Sequence, residues 1–158
     1  MDLKITKSTY EDAKKVNKLL TKLIVDEKKY DENINENCVV KSLYENFYNN
    51  DDVCLLVAKE KEHIIGYIYG YVQNNGDAKI DTLSVLDALY VEQDYRRLGV
   101  GIKLIDAFKN WSYEIGAKYI ELKVCKENNS AINLYEKMGF TENKIIMVTK
   151  LRDNDETF

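Results

Sequence analysis

The stretch Tyr90–Asp106, YVEQDYRRLGVGIKLID, sets the strongest limit on what this chain can fold into. Strand-type residues run into two arginines and two glycines, and apolar residues then recur at helical spacing in IKLIDAF. A strand that ends in a tight, positively charged corner and opens a helix is half of a crossover unit. The first N–H groups of a helix lack carbonyl partners, and the helix dipole adds partial positive charge there. A phosphate can dock on such amides where the backbone is bare enough to approach. Gly99 and Gly101 supply the bareness, and Arg96 and Arg97 supply charge.

The flanking segments complete a β-α-α-β-β-β-α-β-α-β order. LKITK (Leu3–Lys7) alternates as a first strand. Ser8 or Thr9 can cap the helix that follows, with Glu11 and Asp12 in its first turn. Val16, Leu19, Leu20, Leu23 and Ile24 share one face of that helix. A shorter helix is expected around Val39–Tyr48. VCLLVAKE and HIIGYIYGYV read as a hairpin about Lys61–Glu62, with Tyr67, Tyr69 and Tyr71 on one face. Asp81–Val91 is the central strand. A helix over Gly101–Ile115 stops at Gly116, and AKYIELKVC is a further strand. NSAINLYEKMG is a short helix with Asn129 or Ser130 as its cap and Gly139 as its stop, and KIIMVTK is a last strand. The crossover from Leu83 to Val124 makes two strands parallel, while the hairpin is antiparallel. The fold class is therefore α/β (α+β), a mixed sheet covered by helices, forming one domain over residues 1–150 with a short polar tail, 151–158, that frays.

With 158 residues, 45 % apolar and 32 % charged, the chain reads as soluble and globular, and its net charge of −4 disfavours a nucleic-acid-binding surface. MDLKITKSTY lacks the apolar core of a signal peptide and no run is long enough to cross a bilayer, so the cytoplasm is the expected location. Cys38, Cys54 and Cys125 are widely spaced without a C-x-x-C pair, and His63 is the sole histidine, sitting in the charged turn EKEH. No zinc site, disulfide framework or other metal centre is expected.

Three phosphate-loop readings compete at the corner. A Walker A loop needs Gly-Lys-Ser/Thr before its helix, which GVGIKL lacks. A dinucleotide fingerprint needs a third glycine or alanine where Leu104 stands. The third is R-x-x-G-x-G after a strand. LDALYVEQDYRRLGVGIKLI, followed after a helix and a strand by NNSAINLYEKMGF, resembles the GNAT (Gcn5-related N-acetyltransferase) superfamily across Thr82–Phe140. The first half of the chain matches only in its order of elements.

The resemblance implies antiparallel N-terminal strands, a splayed parallel pair and helices on both faces. It also implies acetyl-CoA as co-substrate, with the pantetheine arm in the splay. The main chain of Leu89, Tyr90 and Val91 would then bond the pantetheine amides. Arg96, Arg97, Leu98, Gly99, Val100 and Gly101, with the Ile102 amide, would hold the pyrophosphate, and Asn128 would contact the CoA arm. Tyr135 matches the tyrosine that the family often uses as general acid toward the departing thiolate. A phenol with a pKa of about 10 is still a proton donor at neutral pH. Gln93 stands where a proline is often found, and Arg97 where glycine is frequent.

The amine must lose a proton before it can attack. Asp87 lies two residues before Leu89 in an apolar strand, and period-2 alternation places both on one face before any bulge. Partial desolvation would raise its pKa toward a base's working range. Glu92 and a water relay are the competing bases, and Asp87 also admits a purely structural role. Cys125, at the end of the neighbouring strand, reads as a buried structural cysteine.

The loop between the first helices carries Asp26, Glu27, Asp31, Glu32 and Glu36 around Tyr30, a rim that would draw in a cationic acceptor or simply be a solvated surface. The expected activity is N-acetyl transfer to a primary amine, small, polyamine-like or peptidic, by direct attack. A non-catalytic acetyl-CoA sensor on the same scaffold is the alternative, and a longer acyl donor or a hydroxyl acceptor also stays open. A homodimer through the tyrosine-rich strand face is one assembly the sequence permits, unless that face packs under a helix.

Overall fold

The computed structural model describes residues 1–152. Five strands form one sheet in the order β1-β2-β3-β4-β5: Leu3–Lys7, Val53–Glu60, His63–Gln73, Leu83–Val91 and Tyr119–Glu121. The first four are antiparallel neighbours, and β4 and β5 run parallel. Helices α1 (Tyr10–Glu27), α2 (Val100–Glu114) and α3 (Asn129–Lys137) complete the architecture.

Of the two expected caps for α1, Thr9 does the work. Its hydroxyl accepts from the Asp12 amide at 3.1 Å, and the Asp12 carboxylate accepts from the Thr9 amide at 3.1 Å. This closed capping box contributes about 1 kcal/mol. Ala13, Val16 and Leu19 of α1 then bury against Val57, Tyr67, Ala88 and Tyr90. On the opposite face Leu104, Ile105 and Phe108 of α2 pack on Ile65, Ile68 and Leu86, with Leu134, Tyr135 and Met138 of α3 at the margin. Tyr67 is fully buried and Tyr69 partly so beneath α1 and Tyr44, so the tyrosine-rich strand face is interior rather than a dimer surface.

Several expected elements differ. The helix over Val39–Tyr48 reduces to one 3₁₀ turn, Tyr44–Asn46. Side chains claim the amides that would start it. Val40 donates to Thr21 Oγ1, Leu43 to Glu45 Oε1 and Tyr44 to Asn17 Oδ1. The central strand begins at Leu83 rather than Asp81, and β5 is paired only over Tyr119–Glu121. Asn128, not Asn129 or Ser130, caps α3 by accepting from the Ala131 amide at 3.2 Å. KIIMVTK forms no strand in the sheet. Gly116 and Gly139 end their helices with φ of 85° and 94°. The expected fraying of the tail falls mostly on residues 153–158, outside the described residues. Among the described residues, no helix is long and apolar enough to cross a membrane.

Candidate active site

The site begins where the sheet comes apart. Pairing of β4 with β5 runs through Leu83–Tyr119, Ser84–Ile120 and Val85–Glu121, then stops, while β4 continues to Val91. Six residues of β4 thus face a gap on that side. The Glu92 amide donates to the Ile65 carbonyl at 2.8 Å, which fixes the main-chain alternation. By that alternation Tyr90 turns its amide and carbonyl to β3, and Leu89 and Val91 turn theirs into the gap. Of the three strand residues expected to bond a pantetheine arm, these two therefore have the right main-chain direction. The Val91 carbonyl already accepts from Arg96 Nε at 2.8 Å.

A β-bulge lies in the same strand. Tyr69 pairs with Ala88 and Gly70 with Leu86, leaving Asp87 as the extra residue. The bulge breaks the alternation that would have put Asp87 and Leu89 on one face. Leu89 packs on the α2 side, whereas the charge of Asp87 acts on Tyr44, Tyr67, Tyr69 and Tyr71 of the α1 side. Asp87 is reachable by solvent, yet the surrounding protein raises its pKa by desolvation, and Lys123 pulls it partly back. Burial chiefly, then Asp87, pushes Tyr69 up to about 12. Glu92, the competing base, lies beyond the strand end and is clamped by Lys22 Nζ at 2.8 and 3.0 Å.

Gly99 at the corner adopts φ +84°, and nothing lies within 4 Å of where its Cβ would be. A residue with a side chain would be strained there, and the bare surface lets a ligand approach. Gly99 gives α2 no side-chain cap, so the amides of Val100, Gly101 and Ile102 point out from the helix start without intrahelical carbonyls. Free helix-start amides beside a bare glycine are the chemistry a pyrophosphate needs. Arg97 sits at φ +67°, which gives a conformational reason for glycine at that position in similar chains. Arg96 lies with Nη2 3.3 Å from Asp26 Oδ2 and its guanidinium 5.3 Å from the Tyr90 ring centre, tied back toward α1. Leu98 is exposed, and Val100 is buried in the α2 core.

Tyr135 projects from α3, edge-on to Phe140 with ring centres 5.8 Å apart. Burial first, and the charge of Glu27 second, push its hydroxyl up to about 12, so it keeps its proton at neutral pH. Asn128 Oδ1 is spent on the helix cap, which leaves its amide nitrogen to meet a ligand. Cys125 is half-buried and its thiol is raised by burial, then by Glu27 and Asp31, opposite to what a nucleophile needs.

Glu27 is one of the five acids that the sequence set on the possible acceptor rim. It ends α1, is half-buried, and is raised by desolvation, Asp31 and Asp87. The charge of Asp87 acts on it, and its own charge acts on Tyr135. The sequence showed it only as one acid among five in a polar loop. His63 lies exposed at the start of β3, as a turn residue would.

Comparison with known proteins identifies the family. The Acetyltransferase (GNAT) family pattern matches residues 20–140. An N-alpha-acetyltransferase of Sulfurisphaera tokodaii is 31 % identical over 102 residues, which is 60 % of this chain and 60 % of that protein. The chain thus spans less than two thirds of that relative's length. A mutant BH1408 protein from Bacillus halodurans superposes with a TM-score of 0.82 at 20 % identity, over 94 % of this chain and 99 % of that one. An aminoglycoside acetyltransferase from an uncultured soil metagenomic sample gives 0.71 at 20 % identity, over 96 % and 97 %. Those two likenesses concern the fold, whereas the family match spans the gap, the corner and Tyr135 together: this chain belongs to the GNAT acetyltransferase family.

Proposed function

We propose that the protein transfers the acetyl group of acetyl-CoA to a primary amine by direct attack. The observation that carries this is the bulged carboxylate of Asp87 on a strand whose last six residues, 86–91, face an open gap that ends at an uncapped helix start. Acetyl-CoA binds with its pyrophosphate on the Val100, Gly101 and Ile102 amides and its arm along the Leu89 and Val91 main chain. Arg96 and Arg97 add charge at that end, and Asn128 meets the arm from the start of α3.

Asp87 takes a proton from the ammonium of the acceptor, directly or through one water, which frees the nitrogen lone pair. The nitrogen attacks the thioester carbonyl, and the tetrahedral adduct collapses with cleavage of the C–S bond. Tyr135 gives its proton to the departing sulfur, the nitrogen releases its second proton, which restores the phenol through solvent, and the products are the amide and CoA thiol. Glu27, at the end of α1, holds the acceptor cation in the cleft. The acidic residues of the loop after α1 favour a cationic amine over a neutral one.

Purified protein incubated with acetyl-CoA and a panel of polyamines, aminoglycosides, amino acids and short peptides tests this by thiol release, beside calorimetric binding of acetyl-CoA. Turnover with one amine class, abolished in Asp87→Asn, is the expected result. Tight CoA binding with no turnover across the panel would favour a sensor, and absent binding would remove the reading altogether.

A further inference from the structure

A proton donor has to stand at a fixed place, yet the helix that carries Tyr135 is weakly anchored. α3 is nine residues long, and none of them is fully buried. A helix that short keeps its shape in water only through what it is tied to.

The ties gather at its C-terminal end. Gly139 takes a left-handed φ of 94°. Its amide donates to the Glu136 carbonyl at 3.0 Å, and the Phe140 amide donates to the Tyr135 carbonyl at 3.0 Å. These are the two bonds of a Schellman stop, in which the residue after the glycine folds back on the residue that opens the last turn. Those two residues are Phe140 and Tyr135, and their rings meet edge-on. The stop therefore sets the Phe140 ring against the Tyr135 phenol.

One side chain from outside α3 holds this stop. Lys109, half-buried in the second half of α2, donates from Nζ to the Met138 carbonyl, which the Schellman bonds leave unpaired. The same Nζ stands 5.7 Å from the centre of the Phe140 ring and 3.7 Å from where a Cβ on Gly139 would be. Among the described residues, no carboxylate pairs with this ammonium. Its charge is spent on the negative end of α3 and on the face of the ring that abuts Tyr135. The helix that carries Lys109 is also the one whose first amides form the phosphate corner.

We infer that Lys109 is a positioning residue for the proton transfer from Tyr135. By clamping the Met138 carbonyl and the Phe140 ring, it fixes the phenol relative to α2, and so relative to a cofactor whose pyrophosphate α2 holds. The inference rests on the general-acid reading of Tyr135. A displacement of about 1 Å in such a group is enough to slow the chemical step without touching the binding of the rest of the cofactor.

A double-mutant cycle tests it. Thiol release from acetyl-CoA with the panel amine that turns over fastest is measured for the wild type, Lys109→Met, Tyr135→Phe and the double variant, beside calorimetric binding of acetyl-CoA. Lys109→Met keeps an apolar stem and removes the charge. It should lower kcat about 10-fold at unchanged KM and unchanged acetyl-CoA affinity, and Lys109→Arg should restore most of the rate. In the Tyr135→Phe background the same substitution should cost nothing further, whereas a merely structural lysine would cost as much in either background. Phe140→Leu, which removes the ring and stays apolar, should repeat that pattern and decides the matter if Lys109→Met does not fold. An unchanged kcat, or equal losses in both backgrounds, would overturn the inference and leave the general-acid reading standing. A Tyr135→Phe variant as fast as the wild type, or no turnover with any panel amine, would remove both.

Discussion

Asp87 and Leu89, two residues apart on β4, face opposite sides of the sheet. The bulge between the Tyr69–Ala88 and Gly70–Leu86 pairs is the cause. It sends the carboxylate to the tyrosine-lined α1 side and leaves the Leu89 main chain on the gap. One strand can therefore present a carboxylate on its face and hydrogen-bonding groups along its edge.

Asp87→Asn should lower kcat by about 10²–10⁴-fold with little change in acetyl-CoA affinity. In the wild type the rate should rise with pH as Asp87 loses its proton, since the base works only when charged. Desolvation moves that limb above the ordinary carboxyl range. A kcat–pH profile measures it, and the limb should vanish in the variant. A profile unchanged by the substitution would assign the limb to Glu27 instead.

The same shift has a stability consequence. An acid whose pKa is raised on folding binds protons more tightly in the native state, so stability falls as pH rises from the unfolded value of 3.8 through the folded one. Asp87→Asn should therefore raise the thermal midpoint at pH 7 and leave it nearly unchanged well below the unfolded pKa. A midpoint lowered at pH 7 would show a structural role for the carboxylate.

Tyr135→Phe should reduce kcat by about 10- to 100-fold and leave the KM for acetyl-CoA nearly unchanged, because only the proton to the thiolate is lost. With the hydroxyl raised to about 12, any alkaline limb from Tyr135 should lie far above neutral pH. Equal losses for acetyl-CoA and for a thioester with a low-pKa thiol leaving group would count against the general-acid role.

Gly99→Ala should weaken acetyl-CoA binding and cost about 1–2 kcal/mol of stability through its left-handed φ of +84°. The binding loss should be absent for S-acetyl-pantetheine, which lacks the pyrophosphate. Calorimetry on both thioesters separates the two, and a parallel loss would move the phosphate contact elsewhere.

Gly70→Ala should be the most disruptive small substitution in the sheet. Its Cβ would overlap the Val85 carbonyl oxygen and Phe108 Cε2, both fixed in the core between β4 and α2. Overpacking of this kind costs about 1–3 kcal/mol, and backbone displacement adds to it. Urea unfolding should show a lowered midpoint at unchanged slope.

The elements whose signals are local were legible in the chain itself. The strand–corner–helix of Tyr90–Asp106 needs only its own glycines and arginines to specify a bare helix start, and it forms as written. The same holds for the Lys61–Glu62 turn, the capped start of α1 and the stops at Gly116 and Gly139. The face that Asp87 occupies was not legible, because a bulge is a mismatch between two strands and neither strand encodes it alone. Glu27 stood out from the other acids of its rim only in the structure for a similar reason: its electrostatic neighbours Asp87 and Tyr135 lie sixty or more positions away in sequence. The helix expected over Val39–Tyr48 gave way because Asn17 and Thr21 of α1 satisfy amides the helix would have used. The sequence by itself thus determined the long helices, the hairpin and the bare, arginine-bearing corner, where local backbone chemistry decides. Only the tertiary structure decided which carboxylates share the cleft and which strand edge stays open, because those follow from register and packing between distant segments.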